Sequence, residues 1–343
     1  MKTSLTPRAY HHEVCQVQPD SALAYRLSSD CQRAPFDRLW WWQALETWCA
    51  LPGQLHGIEI TDGEAMLALR NAGHGHLVSL ANWYTFRFRP ILNGNPIALD
   101  LLAKTLKSRA HRITLDKVPD EDGSMTALAS AFRKAGWLVV CEPCDTNHIL
   151  PVAARSFDTY IQTRPGPLRT TLKRKSGKVS TQVLTHFDPA AWQAYEDIYA
   201  QSWKGEEGAP AFLRAFAEEE GAAGRLRLGI AHDSAAPGSP PIAAQMWTVE
   251  GGTAFIHKLA YRESARALSP GSVLTAALMR HVIDIDQVRE VDFGTGDDPY
   301  KRDWMETTRP RYRIEAMRPW ALRNAPIIGR YVARGLAARL KRG

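Results

Sequence analysis

The spacing of apolar residues divides this chain into alternating runs, which predict strands, and runs at helical spacing. Residues 36–50 (FDRLWWWQALETWCA) predict a helix rich in tryptophan. Alternation around 56–61, 64–70 and 74–80 predicts three short strands. Residues 96–109 return to helical spacing, with Pro96 suited to a first helical position. A strand is expected over 111–117, a helix over 123–135 and a continuous apolar strand over 137–141. Residues 1–35 hold Pro7, Pro19 and Pro35 and read as irregular.

Beyond a seam near 147–157 the pattern is clearer. Residues 179–187 alternate, and 189–203 are amphipathic with Trp192, Tyr195, Ile198 and Tyr199 on one face. A helix follows over 210–220, a strand over 226–231 and a loop over 233–241. Strands at 242–249 and 253–261 are joined by Glu250-Gly251-Gly252, a hairpin signal. A helix over 269–285 starts with Ser269 as N-cap and Pro270 at the first helical position. A strand over 289–293 ends at Gly294, and another is expected at 312–316. The order of this second part is β-α-α-β-β-β-α-β, with a short helix and a strand after it.

Composition is that of a globular protein: 343 residues, 45% hydrophobic, 23% charged, net charge +7. The charge is concentrated. From Arg309 onward there are ten basic residues and one acid, Glu315, so this segment carries +9. A second cluster, Arg164, Arg169, Lys173, Arg174, Lys175 and Lys178, has no acid among it, and the remaining body is acidic at −8. The start of the chain has no apolar signal core and no run of ~18 apolar residues occurs, so a cytoplasmic protein without a spanning helix is expected. Five cysteines, an odd number, argue against a disulfide framework.

The segment AFIHKLAYRESARALSPGSVLTAALMRHVI…REVDFGTGDDPYKRDWM, with the element order above, resembles the GNAT acyltransferase superfamily, and more closely its FemAB/CelD-like branch. Asp292-Phe293-Gly294 with Gly296, Asp297, Tyr300 and Lys301 carries the resemblance, which runs over about 156–316. It implies an α/β mixed sheet with two tandem GNAT-like folds. The expected division is an irregular 1–35, a degenerate GNAT-like domain at 36–152, a catalytic one at 153–318 and a basic amphipathic helix at 319–343. The resemblance also implies acyl-CoA as co-substrate, an amine acceptor and no metal. Relatives are linked to envelope lipid or polysaccharide metabolism, and ceramide-forming enzymes resemble them.

Independently, a helix opening at Ser269-Pro270-Gly271-Ser272 offers N–H groups and a positive dipole end to a pyrophosphate. Gly271 permits close backbone approach, with Val273 in the same turn and Arg266 nearby. The loop is poorer in glycine than the family's usual pattern. Acyl transfer to an amine needs a neutral nucleophile, a donor for the carbonyl oxygen and an acid for the leaving thiolate. His257 is a candidate base on strand 253–261, and strict alternation sends Lys258 to the other face. By the resemblance Tyr300 falls near the position of the leaving-group tyrosine. Asp297 and Asp298 could take a proton or hold an amine, or cap the helix at Pro299. Trp203 and Lys204 border the expected acceptor side, and Lys301 could contact a phosphate.

Other signals carry less. Cys141 and Cys144 have half of a zinc or redox spacing and no second half. Ile328, Val332, Leu336 and Leu340 fall at steps of four, with Arg330, Arg334 and Lys341 on another face. A helix over 326–342 could therefore lie on an anionic membrane surface, on its inner face. The reading is a GNAT-type N-acyltransferase moving an acyl group from acyl-CoA to an amine. Its rivals are an aminoacyl transferase using aminoacyl-tRNA, whose phosphates the 164–178 cluster would track, and a non-catalytic GNAT-fold partner.

Overall fold

The computed structural model describes residues 6–202 and 204–340, with the side chains of the last helix described to 334. Its strands are β1 (Arg8–Glu13), β2 (Gln54–Ile60), β3 (Gly63–Asn71), β4 (His76–Ser79), β5 (Ile91–Gly94), β6 (Arg112–Val118), β7 (Leu138–Pro151), β8 (Val179–Leu184), β9 (Leu226–Asp233), β10 (Ala243–Glu250), β11 (Thr253–Tyr261), β12 (Glu290–Thr295) and β13 (Thr307–Met317). The helices are α1 (Ala22–Arg26), α2 (Leu39–Cys49), α3 (Ile97–Thr105), α4 (Ser124–Lys134), α5 (Phe157–Gln162), α6 (Gly166–Lys175), α7 (Pro189–Ala200), α8 (Pro210–Ala222), α9 (Pro270–Arg280), α10 (Pro299–Trp304) and α11 (Ala325–Leu340).

The chain forms two compact units that interleave in sequence. Unit 1 runs to Ser28 and adds Phe36–Asp145 and everything from Pro310, while unit 2 is Ser29–Pro35 with Thr146–Arg309. Each unit repeats one topology. In unit 1, β1, β2, β3 and β4 are antiparallel neighbours, and the chain then crosses through α3 to β6, parallel to β4. In unit 2, β8, β9, β10 and β11 are antiparallel neighbours, and α9 leads to β12, parallel to β11. Parallel neighbours require such a crossover, and a helix supplies it. Each sheet is completed antiparallel by a strand distant in sequence: β13 on β6 in unit 1, and the Asn147–Pro151 end of β7 on β12 in unit 2. This duplication is a tandem arrangement of one mixed α/β topology.

Unit 2 is built as its pattern predicts. Asp188 accepts a hydrogen bond from Ala191 N at 2.7 Å and caps α7, which buries Trp192, Tyr195, Ile198 and Tyr199. α9 buries Val273, Leu274, Leu278 and Met279 in a core with Trp247, Val291 and Trp304. Burial of side chains this size contributes roughly 2 kcal/mol each.

Several expectations need correction. β1 lies in the stretch read as irregular; its residues are mostly exposed, so no apolar alternation marks it. The basic 166–175 stretch, to which the sequence pattern assigned no element, is helix α6, which buries only Leu168. β7 continues to Pro151 instead of ending at Cys141.

The basic segments are also less free than their composition suggests. Arg164 is buried and pairs with Glu306, Arg309 pairs with Glu290 at 3.0 Å, and Arg313 pairs with Asp116. Arg311 is fully buried and pairs with Glu121 at 2.9 Å. Arg330, Val332 and Arg334 of α11 are exposed, whereas Leu336, Leu340 and Lys341 lie outside the described side chains. No helix among the described residues is long and apolar enough to cross a membrane. Cys141 and Cys144 are free thiols three residues apart on β7, a spacing that sends them to opposite faces of a regular strand. Among the described residues no group of three His, Cys, Asp or Glu side chains could hold a metal.

Candidate active site

The site begins with a change of register. β11 and β12 pair only at Thr253–Glu290, Ala254–Val291 and Phe255–Asp292. Just beyond, the pairing of β11 with β10 jumps, Met246 facing Lys258 and Trp247 facing Ile256, so His257 is an extra residue. Such a bulge bends its strand away from its neighbour. The diverging ends flank a cleft of about 520 Å³, walled by Leu259 and Tyr261 of β11 and Phe293 of β12.

The start of α9 closes one end of the cleft, with Ser269, Pro270, Gly271 and Ser272 in its lining. Ser269 precedes the helix as expected but does not cap it with its side chain. Its backbone is left-handed (φ 51°), whereas side-chain capping needs an extended residue. Its carbonyl instead accepts from Ser272 N at 3.1 Å and Val273 N at 3.2 Å. A Cβ on Gly271 would lie 3.3 Å from Tyr261 Cδ1, so a side chain there would crowd the cleft.

A buried polar chain fixes the far wall. Trp247 Nε1 donates to Gln245 Oε1 at 2.9 Å, and Gln245 Nε2 donates to Gly271 O at 3.0 Å and Thr275 Oγ1 at 2.8 Å. Thr275 Oγ1 meets the Tyr300 hydroxyl at 2.9 Å. Tyr300 stands edge-on to Phe293 and beside Trp304. Burial pushes its pKa up to about 12, against hydrogen bonds from Thr275 and Ser272 that favour the phenolate. Tyr300 is therefore a neutral acid at physiological pH.

Three further groups face the cleft. Asp298 caps α10 by accepting from Tyr300 N at 2.8 Å. Lys301 donates to Thr295 O and lies 5.5 Å from the Phe293 ring centre. Lys204 keeps a solvent-exposed flank, yet desolvation at the ammonium, and then Lys258, lowers its pKa to about 8. Arg266 lies at the rim, in an ion pair with Glu263 at 2.9 Å.

The cleft thus brings together Lys204, Arg266, Ser269, Gly271, Ser272, Tyr300 and Lys301. Other expected residues lie elsewhere. His257 is not in the lining of the cleft. Its Nε2 is 2.8 Å from Thr248 Oγ1, and its ring stands edge-on to Phe216 of α8. Lys258 pairs with Glu207 at 2.7 Å and lies 5.3 Å from the Tyr199 ring centre. The bulge explains both: alternation fails at His257, so neighbours expected on opposite faces both meet residues of the α7–α8 region. Asp297 points outward, pairing with Arg302 and with His148 Nε2 at 3.2 Å. Val273 is buried in the core instead of lining the cleft. Trp203 lies outside the described residues.

The Asp292-Phe293-Gly294 marker divides into separate tasks. Asp292 is buried, and its Oδ1 accepts from Asn147 Nδ2 and Gly294 N, both at 2.7 Å. Gly294 is left-handed (φ 67°), which turns the chain toward α10. Phe293 supplies the cleft wall. Sequence reasoning missed Leu259, Tyr261, Gln245 and Thr275; the alternation of β11 beyond the bulge was the available signal for the first two.

A splayed parallel strand pair facing a helix N-terminus thus frames the cleft. Residues 168–302 match the acetyltransferase (GNAT) domain family. FemX is 11% identical with a TM-score of 0.58, over 80% of this chain and 90% of that one. A C-terminal domain described as that of a lysylphosphatidylglycerol synthetase from Agrobacterium fabrum is 12% identical with a TM-score of 0.55, over 86% and 90%. L-PGS from Bacillus licheniformis is 11% identical with a TM-score of 0.51, over 79% and 85%. No curated protein sequence matches. Over residues 168–302 the chain is similar in sequence to the GNAT acetyltransferase domain, and over most of its length its fold is like that of FemX.

Proposed function

We propose that unit 2 transfers an acyl group from acyl-CoA to an amine acceptor. The observation that carries this reading is the convergence of the α9 N-terminus, the β11–β12 splay and Tyr300 on one cleft. The cleft suits the donor: Gly271 leaves room at the helix end, and Arg266 and Lys301 supply positive charge toward a pyrophosphate. The acyl-pantetheine arm would lie between Leu259 and Phe293. Tyr300, neutral and held by Thr275, would protonate the leaving thiolate. The acceptor amine would approach from the side of Lys204 and attack in its neutral form. His257 and Asp297 take no part in this scheme, because neither lines the cleft.

A second reading, aminoacyl transfer from aminoacyl-tRNA, has support of its own. Fold likeness to FemX extends over 80% of the chain, and Arg169 and Lys173 of α6 border a groove of about 760 Å³. A lipid or polysaccharide amine as acceptor, met at a membrane face through Arg330 and Arg334, is compatible with either donor.

Thiol release from acetyl-CoA and longer acyl-CoAs, measured against a panel of amines, tests the first reading. Amine-dependent release supports it. No release with any acyl-CoA, alongside salt-sensitive binding of aminoacyl-tRNA, favours the second.

A further inference from the structure

The loop between β13 and α11 carries its large apolar side chains on the outside. Trp320 is 93% exposed and Leu322 90%, the highest values for such side chains among the described residues. Burial of groups this size is favourable, so a free loop would fold them back onto the protein. This loop is instead held from behind. Asn324 is fully buried; its Nδ2 donates to His111 O at 2.8 Å and Arg318 O at 3.0 Å, and its Oδ1 lies 3.0 Å from His111 Nδ1. Ala321 N donates to Arg318 O at 3.2 Å, closing a turn with Pro319 and Trp320 at its centre.

We propose that residues 318–334 dock on an anionic lipid bilayer, with Trp320 and Leu322 entering the interface and Arg318, Arg323, Arg330 and Arg334 meeting lipid phosphates. This goes beyond the choice of acyl donor and holds whichever one the cleft takes.

Charge selects the partner. Residues 318–334 hold four arginines and no acid, and all four arginines are exposed. Among the described residues no carboxylate pairs with them; Arg318 donates to Lys107 O at 3.3 Å and Arg330 to Pro326 O at 3.4 Å. Arg309, Arg311 and Arg313, just upstream, are by contrast committed to Glu290, Glu121 and Asp116. Shape points the same way. A stable protein partner needs about 800 Å² per side with an apolar centre, whereas the most exposed apolar groups here stand on one turn between arginines. An indole favours the boundary of headgroups and acyl chains, and arginine beside it matches phosphate. Attraction of such cations to an anionic surface weakens with salt.

The test is flotation of the full chain with vesicles of phosphatidylcholine alone, or of phosphatidylcholine and phosphatidylglycerol in equal parts. Binding is expected on the anionic vesicles only, falling as salt rises. Trp320→Ser should weaken it at least about tenfold, and Arg323→Glu should weaken it and flatten its salt dependence. Urea midpoints should not move, because both side chains are exposed. Trp320→Phe should keep most of the binding yet lose the quenching of tryptophan emission that brominated acyl chains cause in the parent. No binding to anionic vesicles, or equal binding by folded Trp320→Ser, would overturn the inference. So would binding of RNA in place of vesicles, or a dimer that Trp320→Ser separates while vesicles stay unbound. Thiol release from acyl-CoA is measured without vesicles, so failure here leaves the cleft reading standing.

Discussion

The hydroxyls of Tyr300 and Thr275 lie 2.9 Å apart, joining α10 to α9 behind the far wall of the cleft. Thr275 is itself held by Gln245, so the acid candidate is positioned by a chain of buried groups reaching Trp247 on β10. Replacing Tyr300 by Phe keeps the ring against Phe293 and removes only the proton donor. Thiol release should fall by about 10²–10⁴-fold with CoA affinity nearly unchanged. Thr275→Val should give a smaller loss, since the hydroxyl it steadies remains present.

Asp292 predicts a structural effect. Asp292→Ala leaves Asn147 Nδ2 and Gly294 N without their 2.7 Å acceptor, and removes a carboxylate 3.7 Å from Arg309. The cost should be about 3 kcal/mol, read as a lowered midpoint in urea unfolding.

His56 predicts acid sensitivity in unit 1. It is buried on β2, and desolvation, with smaller contributions from His11 and Arg109, lowers its pKa to about 4. A folded-state pKa below the ordinary 6.5 means the unfolded chain binds the proton first. Its stabilising contribution is complete above pH 6.5 and is lost as pH falls toward 4, by on the order of 3 kcal/mol in all. Denaturant unfolding at about pH 7 and about pH 4.5 should show a smaller acid loss for His56→Leu than for the parent chain.

Much of unit 2 was legible because its elements are two-sided: α7 carries its buried face as Trp192, Tyr195, Ile198 and Tyr199, and the glycine pair at 251–252 marks the β10–β11 turn. The cleft was legible where local chemistry fixes it, at Ser269–Ser272 and Tyr300. It was not legible at His257, because a bulge shifts alternation without leaving a mark in composition. Nor does a sequence reveal that Arg311 is buried beside Glu121, 190 positions away, so the basic tail reads as freer than it is. The pairing of β7 with β12 and of β13 with β6 is equally hidden, since strand pairing at that separation depends on the folded sheet.

If the cleft at the start of α9 holds CoA, a side chain at position 271 must interfere with it. Calorimetric titration of CoA into the full chain and into Gly271→Val reads this out. One CoA per chain is expected for the parent, with affinity reduced at least about tenfold in the variant, equivalent to ~1.4 kcal/mol, because the new side chain meets Tyr261. No CoA binding by the parent chain, or equal binding by a folded Gly271→Val, would overturn the acyl-CoA reading.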